Sequence, residues 1–186
     1  MKKLKIRRFG IWCSVVLCVA ALIAGAGYGY WSSFEHRFFT VTENKVYRSG
    51  AMPIETLKNK TQKYKIKTVI DLRRLDEKVK IEHAALTKMG VRHFSVPAKQ
   101  VPTKETVKAF LDIMDDKKNR PVLIHCHHGE GRAVLFSAIY RIEYEGWSND
   151  QARRASRLIL YKSSFSADSK KGMFLKNYIP RFHRYD

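Results

Sequence analysis

The side chains that could do chemistry crowd into one stretch, Ile124-His125-Cys126-His127-His128-Gly129-Glu130-Gly131-Arg132-Ala133. It follows an apolar run, Pro121–His125, and precedes a helical pattern beginning at Arg132. A tight loop that enters a helix N-terminus turns several backbone N–H groups inward and forms a nest for an anion. Gly129 and Gly131 supply the backbone freedom such a loop needs. Arg132 can fold back and grip two oxygens of a phosphoryl group with its planar fork. The same positive field stabilises a thiolate, since a helix N-terminus and nearby cations lower the pKa of a cysteine from ~8.5. Cys126 is then a candidate nucleophile towards phosphorus, with the loop amides and Arg132 neutralising charge and no metal or cofactor required. The chain has two other cysteines, Cys13 and Cys18, both in an apolar N-terminal run. Cys126 therefore has no intrachain partner in the rest of the chain, and is either a buried small apolar residue or a reactive thiol.

The elements that must hold this stretch can be read from pattern. Lys45–Gly50 reads as a short strand and turn, and Pro53 suits the first turn of a helix to about Tyr64. Thr68–Leu72 is a short apolar strand. Asp76–Met89 has helical spacing, stopped by Gly90. Val91–Val96 is a second strand, and Thr103 is a plausible N-cap for a helix to about Asp116. Pro121–His125 has the almost wholly apolar character of a centrally buried parallel strand. Helices are expected at Arg132–Glu145, Ser148–Tyr161 and Lys170–Phe182, with Ser32–Thr42 as a connector. The β-α-β-α-β-α order predicts an α/β fold: a single domain with a central, mostly parallel sheet flanked by helices. The reactive stretch then lies beyond a strand's carboxyl end, where open α/β sheets bind ligands.

Residues 1–8, MKKLKIRR, carry five basic side chains and no acidic one, and residues 9–31 are apolar apart from small residues. That length matches one transmembrane helix. The positive flank predicts a cytoplasmic N-terminus, with residues 32–186 across the membrane in the periplasm. A cleavable leader is the rival, using Ile11–Ala24 and the small residues Ala24-Gly25-Ala26. The run continues past that site to Tyr28, Tyr30 and Trp31, which favours the anchor. The net charge is +19, and +14 remains after the leading basic residues are set aside. Such a surface attracts anions, and a membrane tether argues against nucleic acid among them.

His-Cys-x-x-Gly-x-x-Arg, here His125 to Arg132, resembles the signature loop of the protein tyrosine and dual-specificity phosphatase superfamily. Val46-Tyr47-Arg48-Ser49-Gly50 and Val69-Ile70-Asp71-Leu72-Arg73 are similar to segments of its compact bacterial, plant and fungal members. The likeness runs from about Val46 to Leu160. It implies that Cys126 is the nucleophile and that Arg132 binds phosphate and stabilises the transition state. His127, His128, Gly129, Glu130 and Gly131 would line the loop, with His125 and Asp71 in support. The implied substrate is a phosphorylated anion: a phosphoprotein, a phospholipid headgroup or an inositol phosphate.

Three departures accompany the likeness. Ala133 stands where the family usually has serine or threonine. The loop that normally carries the general-acid aspartate reads Val96-Pro97-Ala98-Lys99-Gln100-Val101-Pro102 and contains no acid. Glu130, His128 and Asp71 are the substitutes the sequence offers, and a leaving group that is already acidic needs less protonation. Two histidines within the loop favour a highly charged substrate. Other readings exist: a buried thiol, a metal site made by His125, His127 and His128, a rhodanese-like sulfurtransferase, or a phosphate-binding pseudo-phosphatase. Asp71 and Arg73 could equally be a strand-end ion pair.

Overall fold

The computed structural model describes residues 2–33, 35–157 and 164–181. The chain divides into two units, Met1–His36 and Arg37–Asp186. The first consists of helix α1, Lys2–Ser33, within which Trp12–Ser33 is long and apolar enough to cross a membrane. An anchor and a leader satisfy that test equally.

The second unit is built on five strands. β2 (Val46–Gly50), β3 (Thr68–Asp71) and β5 (Val122–Cys126) are buried at every position, as strands covered on both faces must be. β1 (Phe39–Thr42) and β4 (Arg92–Ser95) form the edges of a sheet ordered β1-β2-β5-β3-β4. β1 runs antiparallel to β2, and the other pairings are parallel.

Alternate side chains of the central strands feed two cores. Val46, Ile70, Val122, Ile124 and Cys126 face Phe110 and Met114 of α4 (Lys104–Asp115) and Leu135, Phe136 and Ile139 of α5 (Arg132–Glu145). Tyr47, Val69 and Leu123 face the other core, with Leu57 of α2 (Ile54–Lys63) and Leu86 of α3 (Glu77–Lys88). The sequence signals for the helix ends hold. Asp76 caps α3 by accepting from the Val79 N–H, Thr103 caps α4 through Thr106, and Gly90 adopts φ +71 after α3.

Four expectations need correction, and two of them run partly outside the described residues. Ser32–Thr42 is not wholly a connector, because Phe39–Thr42 pairs with β2; its β-branched residues Thr40, Val41 and Thr42 suit a strand. Pro53 is the N-cap residue of α2 rather than part of its first turn. The helix expected at Ser148–Tyr161 is α6, Asn149–Ala155, closed at its start by a Ser148–Gln151 capping box. It ends at the Ser156 C-cap, with 158–161 outside the described residues, and α7 (Lys170–Lys176) stops at the Asn177 C-cap, short of the expected Phe182, which is likewise outside them. The parallel register sets Gly50 opposite Cys126 and Asp71 opposite His125, so the carboxyl ends of three strands meet at one place.

Candidate active site

The segment from Cys126 to Arg132 leaves β5 and enters α5 as a braced loop. Three successive carbonyls are drawn outward: His127 O accepts from the Ala51 N–H at 3.1 Å, His128 O from Arg37 Nη1 at 3.2 Å, and Gly129 O from Arg48 Nη1 at 3.1 Å. A trans peptide whose carbonyl points out turns the following N–H the other way. Accordingly the Gly129 N–H donates to Cys126 Sγ at 3.3 Å. Gly129 sits at φ +75, and a Cβ there would lie 2.5 Å from the backbone nitrogen of Gly50. Only glycine meets both conditions.

Cys126 is 3% exposed, at the floor of this loop. Arg48 is buried beside it, and Phe39 stacks 4.7 Å below its guanidinium. Burial draws the Arg48 pKa down to about 10, with Arg141 adding to the effect and the Cys126 sulfur opposing it. Arg132 opens α5 and lies across the mouth, its Nη1 donating to Leu72 O at 2.6 Å and to Ala98 O at 3.3 Å. Those carbonyls belong to the loops after β3 and β4, which thereby fix the guanidinium.

His127 and His128 are exposed, with their rings edge-on to each other. Glu130 pairs with Arg37 at 2.8 Å. Gly131 lies at the junction of loop and helix, where a Cβ would come within 3.1 Å of Lys171 Nζ and 3.3 Å of Gln100 Oε1.

His125 turns beneath the loop rather than into it. Its Nε2 is 2.8 Å from Glu82 Oε1 and 3.8 Å from Asp71 Oδ1. Asp71 is fully buried and saturated, accepting from the Arg73 backbone N–H, Nε and Nη2. This is the strand-end ion pair, and it removes Asp71 from the list of general acids. Arg73 Nη2 also reaches Glu82 Oε2 at 2.7 Å, so one guanidinium bridges both carboxylates. His93 completes the layer, its Nε2 3.7 Å from Asp71 and 3.5 Å from Glu82.

Burial opposes ionisation of the acids in this layer. Hydrogen bonds from His93 and Arg73 nevertheless hold Asp71 well below the usual carboxylate range. Glu82 falls to about 2, with His125 and His93 outweighing its burial. His93 rises to about 9, because its two acids overcome the burial that disfavours its charge.

Asp71, Glu82, His93 and His125 bring potential ligand atoms within 4.8 Å of one another. Arg73 already occupies both carboxylates of that group, so a guanidinium stands where a metal's charge would be needed. The trio considered from sequence, His125, His127 and His128, does not converge.

Sequence reasoning missed Glu82, His93, Arg37, Gln100 and Lys171, and saw Arg48 only as part of a motif. Glu82 was detectable, since a charge between Val79 and Leu86 on the apolar face of α3 breaks the pattern. Lys171 carries no local signal; only the fold brings α7 to the loop.

The chain is 33% identical over 109 residues to the dual specificity protein phosphatase TpbA of Pseudomonas aeruginosa strain PAO1, covering 58% of this chain and 47% of TpbA. It thus spans about half the length of the curated relatives it matches. The crystal structure of P. aeruginosa TpbA in complex with phosphotyrosine superposes with a TM-score of 0.53 at 26% identity, covering 63% of this chain and 70% of that one. The catalytic core of the PP-IP phosphatase SIW14 from S. cerevisiae, in complex with citrate, shares the fold with a TM-score of 0.62 at 21% identity, covering 76% and 85%. Residues 12–173 match the family described as DSP-PTPase phosphatase fused to NAD+ kinase. The chain belongs to that family, within the protein tyrosine and dual-specificity phosphatase superfamily.

Proposed function

We propose that this chain is a cysteine-dependent phosphatase of the tyrosine/dual-specificity type, hydrolysing phosphomonoesters through a phosphocysteine intermediate. The carrying observation is the Gly129 N–H directed at Cys126 Sγ, in a loop whose carbonyls are tied outward. In this reading the Cys126 thiolate attacks phosphorus in line. Loop amides and Arg132 hold the equatorial oxygens, and water then cleaves the phosphocysteine. The substrate is a phosphorylated anion, with a phospholipid headgroup or an inositol phosphate favoured by the positive charge and a phosphoprotein as the remaining class. α1 anchors the chain in the membrane with its N-terminus inside and the catalytic unit outside.

A burst assay with an aryl phosphate tests the chemistry. Wild type gives a burst of about one phenolate per site, and Cys126→Ser gives none. A second reading, a phosphate-binding pseudo-phosphatase, is favoured by the acid-free loop Val96–Pro102 and by Ala133. Phosphate binding without burst or turnover would establish it and end the enzyme reading. A reporter fused after Trp31 and active in the cytoplasm would overturn the orientation.

A further inference from the structure

Lys171 reaches the loop from α7, far along the chain from the signature residues. Its ammonium lies over Gly131, where a Cβ would come within 3.1 Å of it. Gln100, from the loop where relatives would carry their acid, points its Oε1 at the same spot. The helix that brings Lys171 here is fixed closely: Leu175 is fully buried, and a Cβ at Gly172 would lie 1.8 Å from Ser166 O. Lys171 is half-buried, and no carboxylate pairs with it among the described residues. A shielded ammonium without a counter-charge is costly unless something anionic completes it. Its neighbours are the Phe165 ring, 5.6 Å away, together with Cys126 and Arg132. Burial draws its pKa below the ordinary lysine value; the Cys126 sulfur opposes this and Arg132 reinforces it. Such a lysine gives up its proton more readily.

We propose that Lys171 is the leaving-group acid of this site, doing from the C-terminal side of the fold what the acid-free loop Val96–Pro102 cannot. The proposal rests on the cysteine-phosphatase reading. In the first step the Cys126 sulfur lone pair forms the S–P bond, and the P–O bond to the leaving group breaks with its electrons on oxygen. The Lys171 ammonium gives that oxygen a proton, releasing a neutral alcohol and leaving an amine. In the second step water oxygen bonds to phosphorus and the S–P bond returns its electrons to sulfur. One water proton passes to the Lys171 amine, and the other stays on the phosphate.

The test is a series of aryl phosphates running from 2,4-dinitrophenyl phosphate, whose leaving group needs no proton, to phenyl phosphate, whose leaving group does. It is run on the full chain, with folding verified by circular dichroism. In single-turnover release of the phenol, which reads the first step alone, Lys171→Met should leave dinitrophenyl phosphate within a few-fold of wild type and slow phenyl phosphate by about 10²-fold. Lys171→Arg keeps the charge but cannot release a proton at working pH, so it should resemble Lys171→Met on phenyl phosphate. An equal loss across the series, or rescue by arginine, overturns the proposal in favour of a substrate-binding cation. Failure of the underlying reading looks different: wild type itself then gives no burst with dinitrophenyl phosphate.

Discussion

Beneath the signature loop, charges are matched one against another; above it, they wait for an opposite. The lower layer sets Arg73 and His93 against Asp71 and Glu82, with His125 held by Glu82 and all five side chains nearly out of solvent. At the mouth, Arg132 leans on two backbone carbonyls and Lys171 on no carboxylate among the described residues. A buried network of paired charges contributes order rather than chemistry, because its groups are held by one another. Uncompensated cations around a nest of amides are poised for an anion. The two carboxylates that the sequence offers as acids are both paired. Asp71 lies in the saturated layer, and Glu130 is spent on Arg37.

Substitutions can sharpen or break this division. The largest effect should come from the mouth: Arg132→Ala is expected to lower kcat/KM by about 10³-fold while leaving the unfolding midpoint almost unchanged. A large stability loss would instead assign Arg132 to the scaffold. Glu82→Ala should do the reverse, leaving His125 and Arg73 short of an acceptor. It should destabilise the fold by about 3 kcal/mol in urea titration, and a change within ±0.5 kcal/mol would show that the lower layer is not what orders the loop.

The smallest effect is the pH response of that layer. Folded His93 holds its proton up to about pH 9, while an unfolded histidine loses it near ~6.5. Its contribution is therefore complete below about pH 6.5 and fades as the pH rises through about 9. The groups facing His93 are Asp71, Glu82 and the His83 ring, whose Nδ1 is 3.3 Å from that of His93. Wild type should lose about 2 kcal/mol of stability across that interval, and His93→Gln should lose less. Parallel pH curves for the two proteins would remove His93 from the network.

Much of this was legible beforehand, for identifiable reasons. The limits of α3 and α4 follow from Asp76, Gly90 and Thr103, each of which acts on neighbouring backbone. The strand–loop–helix at Cys126 could be read because an apolar strand, two glycines and an arginine encode it locally. β1 escaped because an edge strand of four residues needs its partner β2 to be recognised. His93 and Lys171 escaped because their roles arise from residues distant in the chain, which periodicity does not report. Arg48 was visible as part of a motif, yet its grip on Gly129 O depends on the parallel pairing of β2 with β5.

The tethers on His127, His128 and Gly129 all originate in the stretch from Arg37 to Ala51. Hooked back in this way, the loop is kept from folding in upon its sulfur. Under the proposed function, the main chain is then already shaped for an oxyanion before one arrives. The shape of the loop is thereby written in and around the first two strands.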